Sequence, residues 1–184
     1  VGERWTLLIV RDMLLGPRRY SQLLESLQGI TTNLLAKRLK DLQKSGIIEK
    51  QGSGPATRYR LTPHGAELEP AIMELARWGA RFMGPLAPQD RRNLGWALLS
   101  CKRRYTGGED GFRVGIGTES RAFELVFTPS TLLVQEVTQG EALSPDLALQ
   151  GSEADLFALL FQGEIRPELR VEERGEGALV RLGR

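Results

Sequence analysis

The sequence is poor in the residues that build disulfides and metal sites. Its 184 residues include one cysteine, Cys101, and one histidine, His64. A single cysteine excludes an internal disulfide and fits a reducing compartment, so we expect a cytoplasmic protein. One histidine and one cysteine do not supply the usual ligands of a zinc site, and we expect no metal and no other cofactor.

Long apolar runs and catalytic motifs are also missing. No run of 18 or more apolar residues occurs, so we expect no membrane span. The opening apolar stretch carries Arg4, Arg11 and Asp12, which argues against a signal peptide. The sequence has no Gly-x-Ser-x-Gly, His-Glu-x-x-His or P-loop motif, and we expect a protein that is not an enzyme.

Charge is distributed unevenly along the chain, although its net value is only +2. Residues 1–83 hold 13 Lys+Arg and 8 Asp+Glu, a net of +5, whereas residues 84–184 hold 12 and 15, a net of −3. A basic half favours contact with a polyanion.

Residues 31–46 combine a helix start, a helix stop and two opposite faces. Thr31 is a good N-cap, and Gly46 supplies the left-handed residue that ends a helix. Helical spacing predicts a buried stripe of Leu35, Leu39 and Leu42. The same spacing predicts a second, cationic stripe of Asn33, Lys37, Lys40 and Lys44. This combination fits a DNA major groove, and the alternative is an ordinary helix with a solvated face.

The elements around this helix give it a context. The patterns predict helices over Glu3–Leu15 and Ser21–Leu27, strands over Gly46–Lys50 and Thr57–Leu61, and a long helix from Thr62 towards Met83 with a kink at Pro70. Helices followed by a glycine-rich hairpin are the order of a winged helix-turn-helix domain, in which the hairpin is the wing. Arg58 and Arg60 alternate about Tyr59 on one strand face that can lie along a phosphate backbone; the alternative is a plain solvent hairpin.

Five segments of this half are similar to the HxlR-type winged-helix transcriptional regulators. They are Gly2–Ile9, Leu15–Leu23, Gly29–Leu35, Arg58–Gly65 and Trp78–Gly79. The resemblance covers residues 2–83 and implies a homodimer that binds double-stranded operator DNA. It places DNA contacts on Thr31, Thr32, Asn33, Lys37 and Arg38 and on the wing. Our full set of predicted DNA-binding residues adds Arg18, Arg19, Lys40, Lys44, Lys50, Arg58 and Arg60.

The long helix carries a candidate dimer seam. Its 4-3-4-3 apolar spacing runs through Leu68, Ile72, Leu75, Gly79 and Phe82. Trp5 and Ile9 of the first helix are predicted to contribute as well. A helix that only covers its own domain would show a similar stripe.

The C-terminal half is predicted to be a separate α+β domain, so that the whole chain is of the α+β class. Residues 84–89 are the expected linker and residues 90–184 the domain. We expect a helix capped by Asp90, an antiparallel meander of three strands, a strand over Asp146–Gln150, a helix capped by Ser152, and a last hairpin of Leu169–Val171 with Ala178–Leu182.

This half resembles, more loosely, the sterol carrier protein-like lipid-binding fold, with Pro145–Leu156 as its best matching segment. The resemblance implies a cavity for a small apolar ligand. The predicted lining residues are Trp96, Leu99, Phe112, Phe123, Leu125, Phe127, Leu156 and Leu160. The alternative is that these side chains form a plain core.

Cys101 allows two interpretations. Its neighbours Lys102 and Arg103 could lower the pKa of the thiol. Its helical spacing with Leu94 and Leu98 favours burial instead.

Three functional hypotheses follow. The first is a ligand-responsive DNA-binding regulator, and the second is a DNA-binding repressor whose C-terminal half is structural. The third is a lipid carrier or enzyme whose winged helix serves protein contacts rather than DNA.

Overall fold

In a computed structural model the chain divides into two compact units, residues 1–83 and 84–184. The structure describes residues 3–84, 87, 90, 92–108, 111–137, 144–174 and 178. Helices and strands occur in both units, which confirms the α+β class. None of the helices in these described ranges is long and apolar enough to cross a bilayer.

The N-terminal unit is helical with one hairpin. Its elements are α1 (Arg4–Met13), α2 (Tyr20–Ser26), α3 (Thr32–Lys44), β1 (Ile48–Gln51), β2 (Arg58–Leu61), α4 (Pro63–Ala66) and α5 (Glu69–Ala80). A short 3₁₀ turn, Gly54–Ala56, lies at the tip of the hairpin. This is the predicted order of a winged helix-turn-helix domain.

The core of this unit is built from one face of each of the first three helices. Ile9 of α1, Leu23 of α2 and Leu35 of α3 are completely buried. Leu39 and Leu42 continue the buried side of α3, which confirms the predicted apolar stripe. The remaining face of α3 is therefore free to carry polar residues.

The predicted ends of α3 are confirmed. The Thr31 hydroxyl accepts a hydrogen bond from the backbone N–H of Leu34 at 3.3 Å. Gly46 has a φ of +70°, the left-handed conformation that a terminating glycine adopts at low cost. The Ile47 N–H then donates to the Leu42 carbonyl at 3.0 Å and directs the chain into β1.

Two helix starts differ from the sequence prediction. Helix α2 begins at Tyr20 rather than after Ser21, and the Gln22 side chain accepts from the backbone N–H of Arg19 at 2.8 Å. The long helix is divided between α4 and α5 at residues 67–68, and Pro70 lies in the first turn of α5. A proline is tolerated there because the first-turn N–H groups have no helical partner.

Gly65 lets α4 approach the end of the hairpin closely. A Cβ atom at this position would lie 1.9 Å from the Ile47 carbonyl oxygen. The same carbonyl accepts the Thr62 N–H at 3.0 Å, and the Thr62 hydroxyl caps α4 through the Gly65 N–H at 3.0 Å. These contacts fix the wing against the helical part of the unit.

In its described residues the C-terminal unit contains a five-stranded sheet packed with helices. Its elements are α6 (Leu94–Arg104), β3 (Arg113–Gly117), β4 (Ala122–Phe127), β5 (Leu132–Val137), β6 (Leu147–Gln150), α7 (Glu153–Phe157) and β7 (Arg170–Glu173). A π-helical turn, Ala158–Gln162, continues α7. The strand order is β5-β4-β3-β6-β7.

The sheet is antiparallel except for one pair. Strands β3, β4 and β5 form the predicted antiparallel meander, but β6 runs parallel to β3. Alternate residues such as Val114, Phe123 and Leu147 are buried on one face. Helix α6 packs against β5, α7 and the π-helical turn.

Some boundaries of this unit differ from the prediction. Asn93, not Asp90, caps α6, because its side chain accepts from the Trp96 N–H at 3.1 Å. The Ser152 cap of α7 is confirmed by a bond from the Asp155 N–H at 3.2 Å. Strand β7 pairs with β6, and Ala178, which was expected to begin the second strand of the last hairpin, is helical. Residues 179–182 of the expected hairpin and residues 85, 86, 88 and 89 of the expected linker lie outside the described part.

Candidate nucleic-acid interface

The exposed face of α3 is a continuous row of polar and cationic side chains. The exposed positions are Thr32, Asn33, Ala36, Lys37, Lys40, Gln43 and Lys44. They lie opposite the buried leucines of the same helix. The row begins at the helix N-terminus, where backbone N–H groups and the positive end of the helix dipole add to the attraction for an anion.

The cations of this row are not neutralised by any residue that the structure describes. Neither Lys37, Lys40 nor Lys44 forms an ion pair with any residue that the structure describes. The Asn33 amide likewise makes no hydrogen bond within that part of the chain. The amide and the three ammonium groups are therefore available to an external partner. Thr31 differs, because its hydroxyl already caps the helix.

The wing carries a second exposed cationic face. Glu49 pairs with Arg60 and Gln51 with Arg58 across the two strands, so both arginines are on one face, as predicted. Arg60 is tied to the Glu49 carboxylate by ion-pair contacts at 2.5 Å. Lys50 is exposed too, but the register places it opposite Tyr59 on the other face.

Arg18 has a structural position rather than a surface one. It is 7% exposed, and its Nε donates to the Asp12 carbonyl at 2.9 Å. Its backbone pairs with Tyr59, with N–H to O distances of 2.8 and 2.7 Å in the two directions. Arg18 thus joins the wing through a single β-bridge, and its burial removes it from the set of surface contacts. Arg19 is exposed and stays a candidate for DNA contact.

Arg38 is also held by the protein. Its side chain is 17% exposed and forms ion pairs with Glu3 and, at 3.6 Å, with Asp41. It links α3 to the start of α1. The sequence pattern could not show this, because the partner Glu3 is 35 residues away.

Two neighbouring tyrosines, Tyr20 of α2 and Tyr59 of β2, lie near α3 and the wing, and the sequence pattern assigned a role to neither. The Tyr20 hydroxyl donates to the Thr32 carbonyl at 2.7 Å. Burial raises the pKa of Tyr59, and the neighbouring Tyr20 adds to the rise. The signal in the sequence was weak, because a tyrosine at the start of a helix is usually only a partly buried core residue.

Helix α5 and the segment that directly follows it present a large apolar surface. Exposed apolar side chains follow i, i+3 and i+7 spacing through Leu75, Trp78 and Phe82, with Met83 beside them. Trp78 is 61% exposed and packs edge-on against Phe82 at 5.0 Å between ring centroids. We name Leu75, Trp78, Phe82 and Met83 the α5 patch.

The residues of the predicted dimer seam fall into two groups, one in the core and one at the surface. Ile9 and Ile72 are buried within the core of their own unit, and Trp5 and Leu68 pack against that core. Only Leu75 and Phe82 of the large predicted side chains belong to the α5 patch, with Gly79 half-buried between them. The 4-3-4-3 spacing had mixed a core stripe with an exposed stripe, because α5 is apolar on both sides.

Comparison with known proteins shows the family to which this chain belongs. The model of the HxlR-like helix-turn-helix family matches residues 1–87. The HTH-type transcriptional regulator YodB of Bacillus subtilis is 34% identical over 89 residues, which are 46% of this chain and 79% of YodB. The chain belongs to the HxlR-like helix-turn-helix family.

Other relatives match the same part of the chain. An uncharacterized HTH-type transcriptional regulator of Mycobacterium tuberculosis is 42% identical over 86 residues, 45% of this chain and 54% of the relative. The chain therefore spans about half the length of that relative. Among solved structures, quinone-bound YodB shares 32% identity over 44% of this chain and 86% of its own, with a TM-score of 0.39. A possible HxlR family transcriptional factor of Thermoplasma volcanium shares 30% identity over 44% and 75%, with a TM-score of 0.41.

The family match covers the N-terminal unit, and the sterol carrier-like resemblance of the C-terminal unit stays a prediction. The eight predicted ligand-lining residues are in the interior of the second unit or at its margin. Phe123, Leu125 and Leu156 are completely or almost completely buried. Phe127 packs on Phe112 at 5.4 Å between ring centroids. The buried positions are Leu99, Phe112, Phe123, Leu125, Leu156 and Leu160, and Trp96 and Phe127 are half-buried.

Cys101 lies within the same C-terminal unit. Its Sγ is 3.6 Å from the Leu160 carbonyl oxygen and 3.7 Å from the Arg104 guanidinium. Burial raises the pKa of the thiol, and the Arg104 charge offsets only part of that rise. The thiol form is therefore favoured at neutral pH, which corresponds to the burial interpretation of the sequence.

Proposed function

We propose that this HxlR-like protein is a homodimeric DNA-binding transcriptional regulator that places α3 in a major groove. The observation that carries the proposal is the unpaired row of one amide and three ammonium groups on the exposed face of α3. Its relatives YodB and the mycobacterial protein are named as transcriptional regulators. A DNA-binding regulator acts where the genome is, so we propose a cytoplasmic location.

The row divides into two kinds of contact. Thr32 and Asn33 are in the first turn of α3, the part of a recognition helix that reaches base edges. A free carboxamide such as that of Asn33 can bond to adenine N6 and N7 together. The lysines extend along the helix and suit phosphates, which position the protein without reading sequence.

The wing supplies a second contact region. Arg58 and Arg60 share an exposed strand face, which suits the phosphate backbone or the minor groove. The glycine-rich tip, with Gly52 and Gly54 at positive φ, allows a close backbone approach. Two contact regions in one unit favour a sequence-specific interaction over a non-specific one.

The α5 patch supports a dimer. Leu75, Trp78, Phe82 and Met83 are each more than half exposed, and apolar clusters of this kind mark interaction sites. A second copy is the proposed partner, because an isologous dimer offers two equivalent α3 helices to a palindromic operator. Half-sites should then lie roughly 34–36 Å apart, about one helical turn of DNA.

For the C-terminal unit we propose binding of a small apolar ligand in the space between the sheet and α6 and α7. The proposal is supported by the apolar character of the predicted lining residues, half of them aromatic, which come from both the helices and the sheet. Native mass spectrometry of the freshly purified protein tests it. A small molecule released on denaturation is expected, and an empty protein would favour a purely structural module.

The DNA proposal is tested by letting the protein select duplexes from a random pool. Asn33→Ala should weaken binding of the selected duplex by about 1–3 kcal/mol and relax preference at one base position. Lys37→Ala should weaken all duplexes alike. Anisotropy titrations with selected and scrambled duplexes measure both. A wild-type protein that selects no sequence would favour the alternative, an accessory winged helix that serves protein contacts.

A further inference from the structure

One hydrogen bond connects the start of α2 to the start of the recognition helix. Tyr20 is the first residue of α2, and its hydroxyl donates to the Thr32 main-chain carbonyl at 2.7 Å. The short distance is typical of a well-formed O–H···O bond. The two residues are 12 positions apart in the chain, so the bond joins separate elements.

The acceptor lies in the turn that would read bases. Thr32 is the first helical residue of α3, and Asn33 follows it. By helix geometry the Thr32 carbonyl also accepts the N–H of Ala36, and a carbonyl oxygen has lone pairs for both bonds. The Tyr20 hydroxyl therefore adds an anchor to the first turn from outside the helix.

The wing contacts the chain segment that directly precedes Tyr20. Arg18 is two residues before Tyr20, and its backbone exchanges two hydrogen bonds with Tyr59 of β2. The Arg18 guanidinium in turn donates to Asp12 of α1 at 2.9 Å. Residues 18–20 thus link β2, α1 and α3 through a chain of short polar contacts.

We propose that Tyr20 is a positioning residue, whose hydroxyl holds the first turn of α3 at a fixed place relative to the wing. Both elements can then engage one DNA site at the same time. The inference rests on the proposed function for its DNA readout and on the structure alone for its effect on α3. Phenylalanine would keep the ring and its packing but lose the bond to α3.

Tyr20→Phe is the direct test in the full chain. Its binding to the duplex selected by the wild-type protein should weaken by about two- to tenfold, the range of one hydrogen bond. Binding to a scrambled duplex should change much less, so the ratio of the two affinities should fall. The salt dependence should stay unchanged, because no phosphate contact is lost.

Tyr59→Phe is the matched control. It removes a hydroxyl from a neighbouring, partly buried ring that makes no hydrogen bond to α3 in the described part of the chain. This variant should keep the wild-type affinity ratio. A merely structural role of Tyr20 would instead lower the melting temperature and weaken both duplexes alike; we expect Tyr20→Phe to melt within about 2 °C of the wild type.

A second measurement needs no DNA. Hydrogen exchange of the free protein should show faster exchange of the Leu35 and Ala36 amides in Tyr20→Phe than in the wild type or Tyr59→Phe. Unchanged exchange together with an unchanged affinity ratio would overturn the positioning role. A wild-type protein that selects no duplex would contradict the proposed function, while the exchange result would still decide whether Tyr20 holds α3.

Discussion

The three lysines of α3 differ in their surroundings from two arginines of the C-terminal unit, Arg113 and Arg121. Lys37, Lys40 and Lys44 have no carboxylate partner within the described residues. In the C-terminal unit Arg113 contacts Glu124 at 3.2 Å, and Arg121 contacts Glu136 at 3.0 Å. The lysines leave their charge for an external anion, and Arg113 and Arg121 are neutralised by neighbouring carboxylates.

This difference shows how a binding face can be distinguished from a solvated one. Paired surface cations contribute about 0–1 kcal/mol to stability and attract ligands weakly. An unpaired row on one helix face raises the local potential and is available for phosphates. The net charges of the two halves, +5 and −3, agree with the local geometry.

The largest expected effect is a loss of stability in the N-terminal unit that leaves the C-terminal unit unchanged. Gly65→Ala places a Cβ 1.9 Å from the Ile47 carbonyl oxygen, and a backbone atom cannot move away cheaply. We expect a loss of about 3 kcal/mol or more in the stability of residues 1–83, with loss of DNA binding. Region-resolved hydrogen exchange in denaturant measures it.

Gly117→Ala is the control for that substitution in the C-terminal sheet. Its Cβ would meet the end of the Gln150 side chain at 2.8 Å, and a flexible side chain can rotate away. The cost should be clearly smaller and confined to residues 84–184. Equal costs for the two substitutions would contradict the tight contact assigned to α4.

The next largest effect concerns the exposed apolar side chains of the α5 patch rather than exposed cations. Trp78→Asp puts a charge into the centre of the α5 patch and should shift the dimer dissociation constant by at least about 2 kcal/mol, the scale of an aromatic hot spot. Leu133→Asp changes a residue of similar exposure, 50% against 61%, in the C-terminal unit and should leave the dimer intact. Sedimentation velocity over a concentration series measures the dimer dissociation constant. A Trp78→Asp variant that remains dimeric would contradict the assignment of the α5 patch as the dimer interface.

The smallest effect concerns the one paired arginine of the wing face. Glu49→Gln removes a negative charge from that face and releases Arg60. DNA affinity should rise by about two- to fivefold, the scale of an exposed ion pair. Glu124→Gln, the same change in the C-terminal sheet, should leave the affinity unaltered in parallel anisotropy titrations. A lower affinity for Glu49→Gln would mean that the ion pair orients Arg60 for its contact.

Local signals predicted much of the fold. The cap at Thr31, the left-handed Gly46 and the leucine stripe between them are set by residues near in sequence, and the structure has all three. The same holds for the meander and the Ser152 cap. The parallel pairing of β3 with β6 was not predicted, because strand alternation does not specify a partner.

Contacts between residues that are distant in sequence explain why parts of the candidate site were not predicted. Arg18 and Arg38 are basic residues in a basic domain, and only their partners Asp12 and Glu3 distinguish them from surface cations. Ile72 fell in the predicted seam because one heptad pattern fits both sides of α5. Periodicity identifies apolar positions, but it does not tell which of two apolar sides meets the core.

The most direct test of DNA binding through α3 is the salt dependence of binding to a selected duplex. Replacing Lys37, Lys40 and Lys44 together with alanine should reduce the slope of log Kobs against log salt by about 0.9 for each lost phosphate contact. Arg113→Ala, which removes a paired cation, should leave the slope at the wild-type value. A triple variant with an unchanged slope would contradict the assignment of α3 as the DNA-binding face.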